Sequence, residues 1–235
     1  MKKVFLTLMC AVCALTVSAQ RASSSSFFST EKVDNPLTIG VRTGGNLSTF
    51  TGDGTDDVKS RFGFNVGVSL DYSIMESFGI QTGLYLTTKG AKADIEDAGY
   101  DEYYYTLSGT KKWNPMYLQI PVLASYRYYI NDNLRWEFNA GPYFAFGVGG
   151  KIKEEGTVTA TDGRYSASVP YAEEEVDFFN DGTNSFDTGI VLGTGLTYSK
   201  FYFGIQYEIG MTNIYDSSNS SVKNSNFTFN IGYNF

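Results

Sequence analysis

Residues 226–235 read NFTFNIGYNF, and no other stretch narrows the choice of fold so far. Phe227, Phe229, Ile231, Tyr233 and Phe235 take every second position, with Thr228, Asn230, Gly232 and Asn234 between them. Side chains alternate faces along a strand, so one face is wholly apolar and aromatic and the other polar. An edge strand of this kind would aggregate in water. A closed barrel in a bilayer removes the difficulty, because closure pairs every backbone group and lipid receives the aromatic face.

The same alternation recurs upstream. It predicts strands over 37–47, 61–72, 78–89, 116–128, 134–146, 186–198 and 201–212, eight with the last. The second is the most regular: Phe62, Phe64, Val66, Val68, Leu70 and Tyr72 share one face, and Arg61, Gly63, Asn65, Gly67, Ser69 and Asp71 the other. Pro121 is the awkward residue of the fourth strand, and a bulge is expected there because proline cannot donate to a ladder. Connections alternate long and short, with polar loops over 48–60, 90–112, 147–185 and 213–224. Within the third, TVTAT-DG-RYSAS reads as a hairpin on a two-residue turn at Asp162-Gly163. The fold class is therefore all-β: an eight-stranded antiparallel up-and-down transmembrane β-barrel of the outer-membrane type, both termini on the short-turn side. A soluble barrel would alternate as well, but with its apolar face inward. Gly63, Gly67, Gly79, Gly83, Gly141, Gly189, Gly193, Gly195, Gly204 and Gly232 nearly all share a face with the charged residues. Small and polar inside with bulk outside suits lipid.

Ahead of the barrel, Lys2 and Lys3 followed by an apolar run to Val17 and the small residues Ser18-Ala19 predict a cleaved signal peptide over 1–19. Cys10 and Cys13 lie inside it, preceded by Met9 and Val12, so lipidation is not expected. Residues 20–36 read as a flexible periplasmic leader with Phe27 and Phe28 as interface anchors, and 37–235 as the barrel domain.

The chain has no histidine, and its two cysteines are both in the signal. That leaves no histidine-dependent base, disulfide or Cys/His metal site in the mature protein. The runs Asp53, Asp56, Asp57 and Asp177, Asp181, Asp187 lack the spacing of a calcium loop, and Glu173–Glu175 read as a solvated charge run. Enzyme activity, metal and cofactor are not expected. A net charge of −7 argues against nucleic acid.

Charges on the polar face are Arg42, Arg61, Asp71, Lys89, Arg127, Arg135, Glu137, Asp187 and Glu208. Inside a narrow barrel opposite charges should pair. Arg42, Arg61, Asp71, Arg127, Arg135, Glu137, Asp187 and Glu208 are the expected lumen network, either plugging the lumen or lining a narrow pore. Tyr72, Phe78, Trp113, Tyr128, Trp136, Tyr198, Phe201, Tyr233 and Phe235 are the expected aromatic girdle.

The segments YLQIPVLASYRY, NAGPYFAFGVGGK, FDTGIVLGTGLTY and YEIGMTNI, with the terminal strand, resemble small outer-membrane β-barrel proteins of the porin-like or PorT-like kind. The resemblance implies a bacterial outer-membrane location. It implies as function a porin-like or structural envelope barrel, an accessory in protein secretion, or a surface binding module acting through its long loops. Expected partners are outer-membrane lipid and lipopolysaccharide, the barrel assembly machinery through the C-terminal strand, and a secretion complex or surface ligand.

Overall fold

The computed structural model describes residues 29–100, 104–161, 165–180, 182–215 and 221–235. The signal reading at 1–19, the anchors Phe27 and Phe28, the turn at Asp162-Gly163, Tyr103 and Asp181 lie outside the described residues. In chain order the strands are β1 (Leu37–Gly52), β2 (Val58–Ser73), β3 (Phe78–Thr88), β4 (Ala91–Tyr100), β5 (Tyr104–Asn131) and β6 (Leu134–Thr161). They continue with β7 (Ser166–Ala172), β8 (Val176–Asp177), β9 (Phe186–Tyr198), β10 (Phe201–Gly210) and β11 (Val222–Asn234).

Eight of them close a ring, β1-β2-β3-β5-β6-β9-β10-β11, each antiparallel to its neighbours. Closure is made by β1 on β11, in register from Gly40 opposite Asn234 to Gly52 opposite Val222. No edge is left within the ring, as backbone in hydrocarbon requires. The alternation sets the faces. Phe62, Phe64, Val66, Val68, Leu70 and Tyr72 of β2 are exposed on the outside, whereas Asn65, Ser69 and Asp71 are buried inside. On β11, Phe229 and Ile231 are exposed, as is Phe235 just past its end, while Thr228, Asn230 and Asn234 are buried. The interior is polar apart from tyrosines, small residues and the aliphatic Leu123 and Val191, buried in one cluster with Tyr117 and Tyr143.

Two expected loops are strands instead. Residues 90–112 hold β4 and the first part of β5, and 147–185 hold the far half of β6 with β7 and β8. β4, β5, β6 and β7 pair side by side beyond the ring, forming a four-stranded sheet that stands out from it. Gly90 (φ +118°) and Gly150 (φ +133°) mark the exit from the ring. There the backbone takes a conformation that side chains rarely adopt, and a Cβ on Gly90 would lie 2.1 Å from the Trp113 carbonyl oxygen. The hairpin over 155–172 forms, but Thr161 pairs with Ser166, leaving four residues between them rather than two.

The bulge expected at Pro121 is absent, and one occurs at Val148. The β5–β6 register is the same from Tyr117–Gly147 through Pro121–Tyr143 to Ala124–Ala140. Pro121 simply omits its donor, and the Thr82 hydroxyl donates to its carbonyl at 2.7 Å. Between Met116–Gly149 and Tyr117–Gly147 the register slips by one, with Val148 the extra residue. Inward positions on β6 are odd before it (Tyr143, Ala145) and even after it (Ile152, in the apolar cluster at the mouth). A bulge does this by inserting one residue into a period of two.

At the short-turn end the described part of the leader is tied down. Ser29 N–H donates to Ser77 Oγ (2.9 Å), Glu76 N–H to the Glu31 carbonyl (3.0 Å) and Ser73 N–H to the Pro36 carbonyl (2.7 Å).

Gly90→Ala is expected to lower stability by about 1–3 kcal/mol, read as a lower urea midpoint of refolded protein in detergent. Gly149→Ala, next to open space on β6, should shift it far less.

Candidate functional site

The lumen is the site to which the fold commits its charged residues. It is filled in layers. Nearest the short turns, Arg127 on β5 pairs with Asp71 on β2, and its Nη1 donates to Ser73 Oγ at 2.6 Å. Arg135 on β6 reaches Asp71 (Nη2 to Oδ2, 3.5 Å) and donates through Nε to Glu137 Oε1 at 2.6 Å. The Thr197 hydroxyl on β9 donates to the same Glu137 oxygen at 2.9 Å. Arg42 on β1 lies next, its guanidinium 3.8 Å from the centre of the Tyr202 ring, with Nη1 donating to Gln81 Oε1 at 3.0 Å.

A second layer lies toward the hairpins. Lys89 Nζ sits 3.1 Å from both Asp187 Oδ2 and Glu208 Oε2, and 4.0 Å from the centre of the Tyr143 ring. Tyr143 Oη and Asn224 Nδ2 each donate to Asp187 Oδ2 at 3.1 Å. Gln119 Nε2 donates to Glu208 Oε1 at 2.7 Å and Asn226 Nδ2 to Oε2 at 3.2 Å. Between the layers is a cavity of about 30 Å³, into whose lining the buried, unpartnered Asn65 Nδ2, Gln81 Nε2 and Gln119 Oε1 fall. Three unpartnered polar atoms around a space of that size suit a water molecule.

Four basic side chains (Arg42, Lys89, Arg127, Arg135) thus meet four acidic ones (Asp71, Glu137, Asp187, Glu208) in one interior. Its neutrality matters, because an unmatched buried charge is expensive. Of the expected network Arg61 stands apart. It is half-buried at the rim, donates to the Lys89 carbonyl at 3.1 Å and makes no ion pair among the described residues. Lys89, on the polar face but not in the expected network, is the fully buried centre of the upper layer.

Alternation puts Tyr85 on the polar face, but it does not show that tyrosines fill the lumen. Tyr85, Tyr143 and Tyr202 lie where glycines leave room. A Cβ on Gly67 would come within 2.6 Å of the Tyr85 ring, on Gly189 within 2.8 Å of Tyr143, and on Gly195 within 2.6 Å of Tyr202. The signal was present in the inward glycines on neighbouring strands. Large rings occupy those gaps, as close packing of an interior requires.

The mouth at the hairpin end is closed by apolar groups. Phe50, Ala91, Phe178, Ile214 and Val222 form a buried cluster, with Trp113, Ile152 and Phe179 packed on it. Phe179 stands edge-on to Tyr117, ring centres 5.3 Å apart, so the cluster rests on the upper polar layer. The segment is held there by Phe178 N–H to the Gly150 carbonyl (2.9 Å) and the Thr183 hydroxyl to the Phe178 carbonyl (2.7 Å). Trp113, expected in the girdle, belongs to this cap. Its ring centre is 6.0 Å from that of Phe50, because it has the inward parity of Tyr117 on β5. Tyr72, Phe78, Tyr128, Trp136, Tyr198, Phe201, Tyr233 and Phe235 fall on outward positions near the short turns. Among the described residues no three acidic side chains converge on a point that could hold a metal.

Outside the ring, Glu175 receives Lys151 Nζ at 2.8 Å together with Lys153. These hydrogen bonds hold its carboxyl down at about 2, against an ordinary 4.5. A lowered carboxyl stabilises above its ordinary value and loses that contribution as pH falls through the folded one. The contact that pins residues 173–177 to β6 is therefore expected intact at pH 7 and released between about pH 4.5 and 2. Hydrogen exchange of that segment, faster at pH 3 than the intrinsic rate change allows, would show it.

Lys89→Met removes one charge and leaves Asp187 and Glu208 buried without it. A loss of about 3–5 kcal/mol is expected, measured by urea unfolding. Lys89→Met with Asp187→Asn and Glu208→Gln should recover much of it.

A family described as outer membrane protein beta-barrel domain matches residues 18–216 of the chain. Among solved structures, Ail, the attachment invasion locus protein of Yersinia pestis, is 17% identical, covering 86% of this chain and 100% of its own, with a TM-score of 0.39. OprG from Pseudomonas aeruginosa is 12% identical over 85% and 96%, TM-score 0.40. Neisserial surface protein A is 11% identical over 86% and 100%, TM-score 0.35. At these scores the likenesses carry no functional argument. No curated protein matches the chain.

Proposed function

We propose that this chain, which belongs to the outer membrane protein beta-barrel domain family and so to the bacterial outer membrane, is a non-conducting barrel that anchors a surface-exposed recognition sheet. The observation that carries this reading is the interior. Two layers of buried ion pairs and an apolar cap succeed one another along the axis. An ion would have to separate Lys89 from two carboxylates and displace Phe178, which is wholly buried. Both steps oppose passage, the first through the cost of unpairing buried charge, the second through lost apolar burial.

In this reading the hairpin end faces the outside and the short turns and both termini face the periplasm, the usual arrangement for barrels with short turns at one end. The projecting sheet is then the working part. Its tip carries Tyr100 (78% exposed), Tyr104 and Tyr165 (79% exposed). Exposed aromatic rings on a rigid support are characteristic of binding surfaces. Rigidity comes from β5 and β6, which run unbroken from the ring into the sheet.

Purified, refolded protein in a planar bilayer is expected to give no single-channel steps, while migrating on unheated gels as a folded barrel. Steady ion-dependent steps would overturn the proposal in favour of a pore.

A further inference from the structure

The two faces of the projecting sheet differ in chemistry. Toward the barrel axis, Trp113 and Ile152 lie in the cap; one row of paired charge, Lys111 with Glu154 (3.2 Å), follows, and Ile95, Leu107 and Val158 lie beyond it. On the opposite face a row of lysines crosses four strands. Lys59 stands opposite Lys92, Lys92 opposite Lys112, and Lys112 opposite Lys153. Lys151 lies one position down the same face of β6. With neighbouring strands about 4.8 Å apart the row is about 14 Å long.

Like charges directly opposite one another destabilise a sheet. A row of four is explained if something anionic lies across it. The protein's own carboxylates do so only in part. Lys59 pairs with Asp94 and Lys112 with Glu155, both one row nearer the tip, and Glu175 takes Lys151 and Lys153 from the side. Lys92 makes no ion pair among the described residues. The paired lysines are solvent-exposed, with side chains 38–59% accessible. Such pairs contribute at most about 1 kcal/mol and exchange partners readily.

Height decides what the anion is. The last outward apolar groups below the row are Phe146 and Val148 on β6 and Leu118 and Met116 on β5. Lys151 lies two residues beyond Gly149, the partner of Met116, and Lys112 four residues beyond Met116 itself. With about 3.4 Å per residue and a tilt near 40°, these are about 5 and 10 Å above the hydrocarbon edge. The polar layer of a bilayer is roughly 5–7 Å deep on each side. Lysine stems are long enough to bring the ammonium groups down into it.

Above the row the same face changes character. Asp94 and Glu155 come first and Glu96 stands on β4 opposite Ser108; on β5, β6 and β7 the face then continues in hydroxyls, with Ser108, Thr157, Thr106, Thr159, Ser168, Tyr104 and Thr161. A phospholipid offers nothing to that surface, since its headgroup ends near the phosphate. A glycolipid continues upward in sugars, which hydroxyl and aromatic groups bind.

We propose that Lys59, Lys92, Lys112, Lys151 and Lys153 form a belt that binds the phosphates of an outer-leaflet glycolipid, whose sugars lie against the hydroxyl face above. This rests on the orientation given under the proposed function.

The test uses the full chain, folded in detergent, titrated with lipopolysaccharide, with the same preparation stripped of phosphate, and with phosphatidylglycerol vesicles. Replacing Lys92, Lys112 and Lys153 together by Gln is expected to weaken lipopolysaccharide binding about ten-fold or more, and removing the phosphates should do the same to the unaltered protein. Lys200→Gln, in the β9–β10 turn, should bind as the unaltered protein does. Undiminished binding by the triple variant, with folding verified by gel migration, overturns the belt. Binding of phosphatidylglycerol as tight as that of lipopolysaccharide overturns the glycolipid assignment. Orientation is tested apart from both. Val169→Cys should react with a membrane-impermeant maleimide on intact cells, and failure there, with reaction after lysis, would overturn the orientation while leaving the in vitro binding result standing.

Discussion

The rest of the structure depends on one constraint: hydrocarbon offers backbone groups no hydrogen-bond partner. Every N–H and C=O in the spanning part must be paired by another strand, and pairing without an edge means a closed ring. Closure by β1 on β11 turns a periodicity of two into an inside and an outside. All further decisions follow from what each side demands. Outside, bulk and aromatic surface replace contact with water. Inside, a ring of eight leaves only enough width for side chains, so large residues are admitted where a neighbour has given up its own. Tyr202 lies over Gly195 and Gly204, and Arg127 over Gly79. Charge obeys the same economy of space. Four bases and four acids share a volume too small for counterions, and their matching makes the polar interior tolerable.

Much of this was legible in the residues because the bilayer imposes its pattern without exceptions. The β2 run from Phe62 to Tyr72 assigns faces by inspection, as does the C-terminal strand. Strand direction alone places Asp71, Arg127, Arg135 and Glu137 at one level, since short turns fix which residues lie together. What was hidden lies beyond the hydrocarbon, where water relaxes the pattern. LSGTKKW and KIKEEGTVTAT alternate, but their polar members outnumber the apolar ones and resemble a charged loop. Their pairing is a property of two strands together, Leu107 opposite Val158 and Trp113 opposite Ile152. Trp113 was misplaced for a related reason. Aromatic residues near a strand end suggest an interface, yet its parity on β5 matches Tyr117 and directs it inward. Pro121 misled in the opposite sense, for a missing donor does not by itself displace a register.

The cap joins these two regimes. Phe178 and Phe179 belong to the connection between β8 and β9, Phe50 to β1, Ile214 to the β10–β11 connection and Val222 to β11. The apolar cluster therefore ties together parts of the hairpin end distant in sequence, and it does so where the ring ceases to be surrounded by lipid. Apolar burial, of no use on the lipid side of the wall, regains its value at this boundary because water lies on the other side. The molecule thus has a mainly polar interior within the membrane and an apolar one just outside it.

The extra residue at Val148 sets a rule for altering or comparing such proteins. Wall and projecting sheet share the backbones of β5 and β6 but are half a period out of phase along β6. Were Val148 deleted while both flanking sequences stayed the same, Ile152 and Val158 would turn to the solvent, and Lys151 and Lys153 to the cap. The barrel below would be undisturbed. Surface modules on a scaffold of this kind can therefore be exchanged as units only together with the phase step at their base, and alignments that count residues across it will pair inward positions with outward ones.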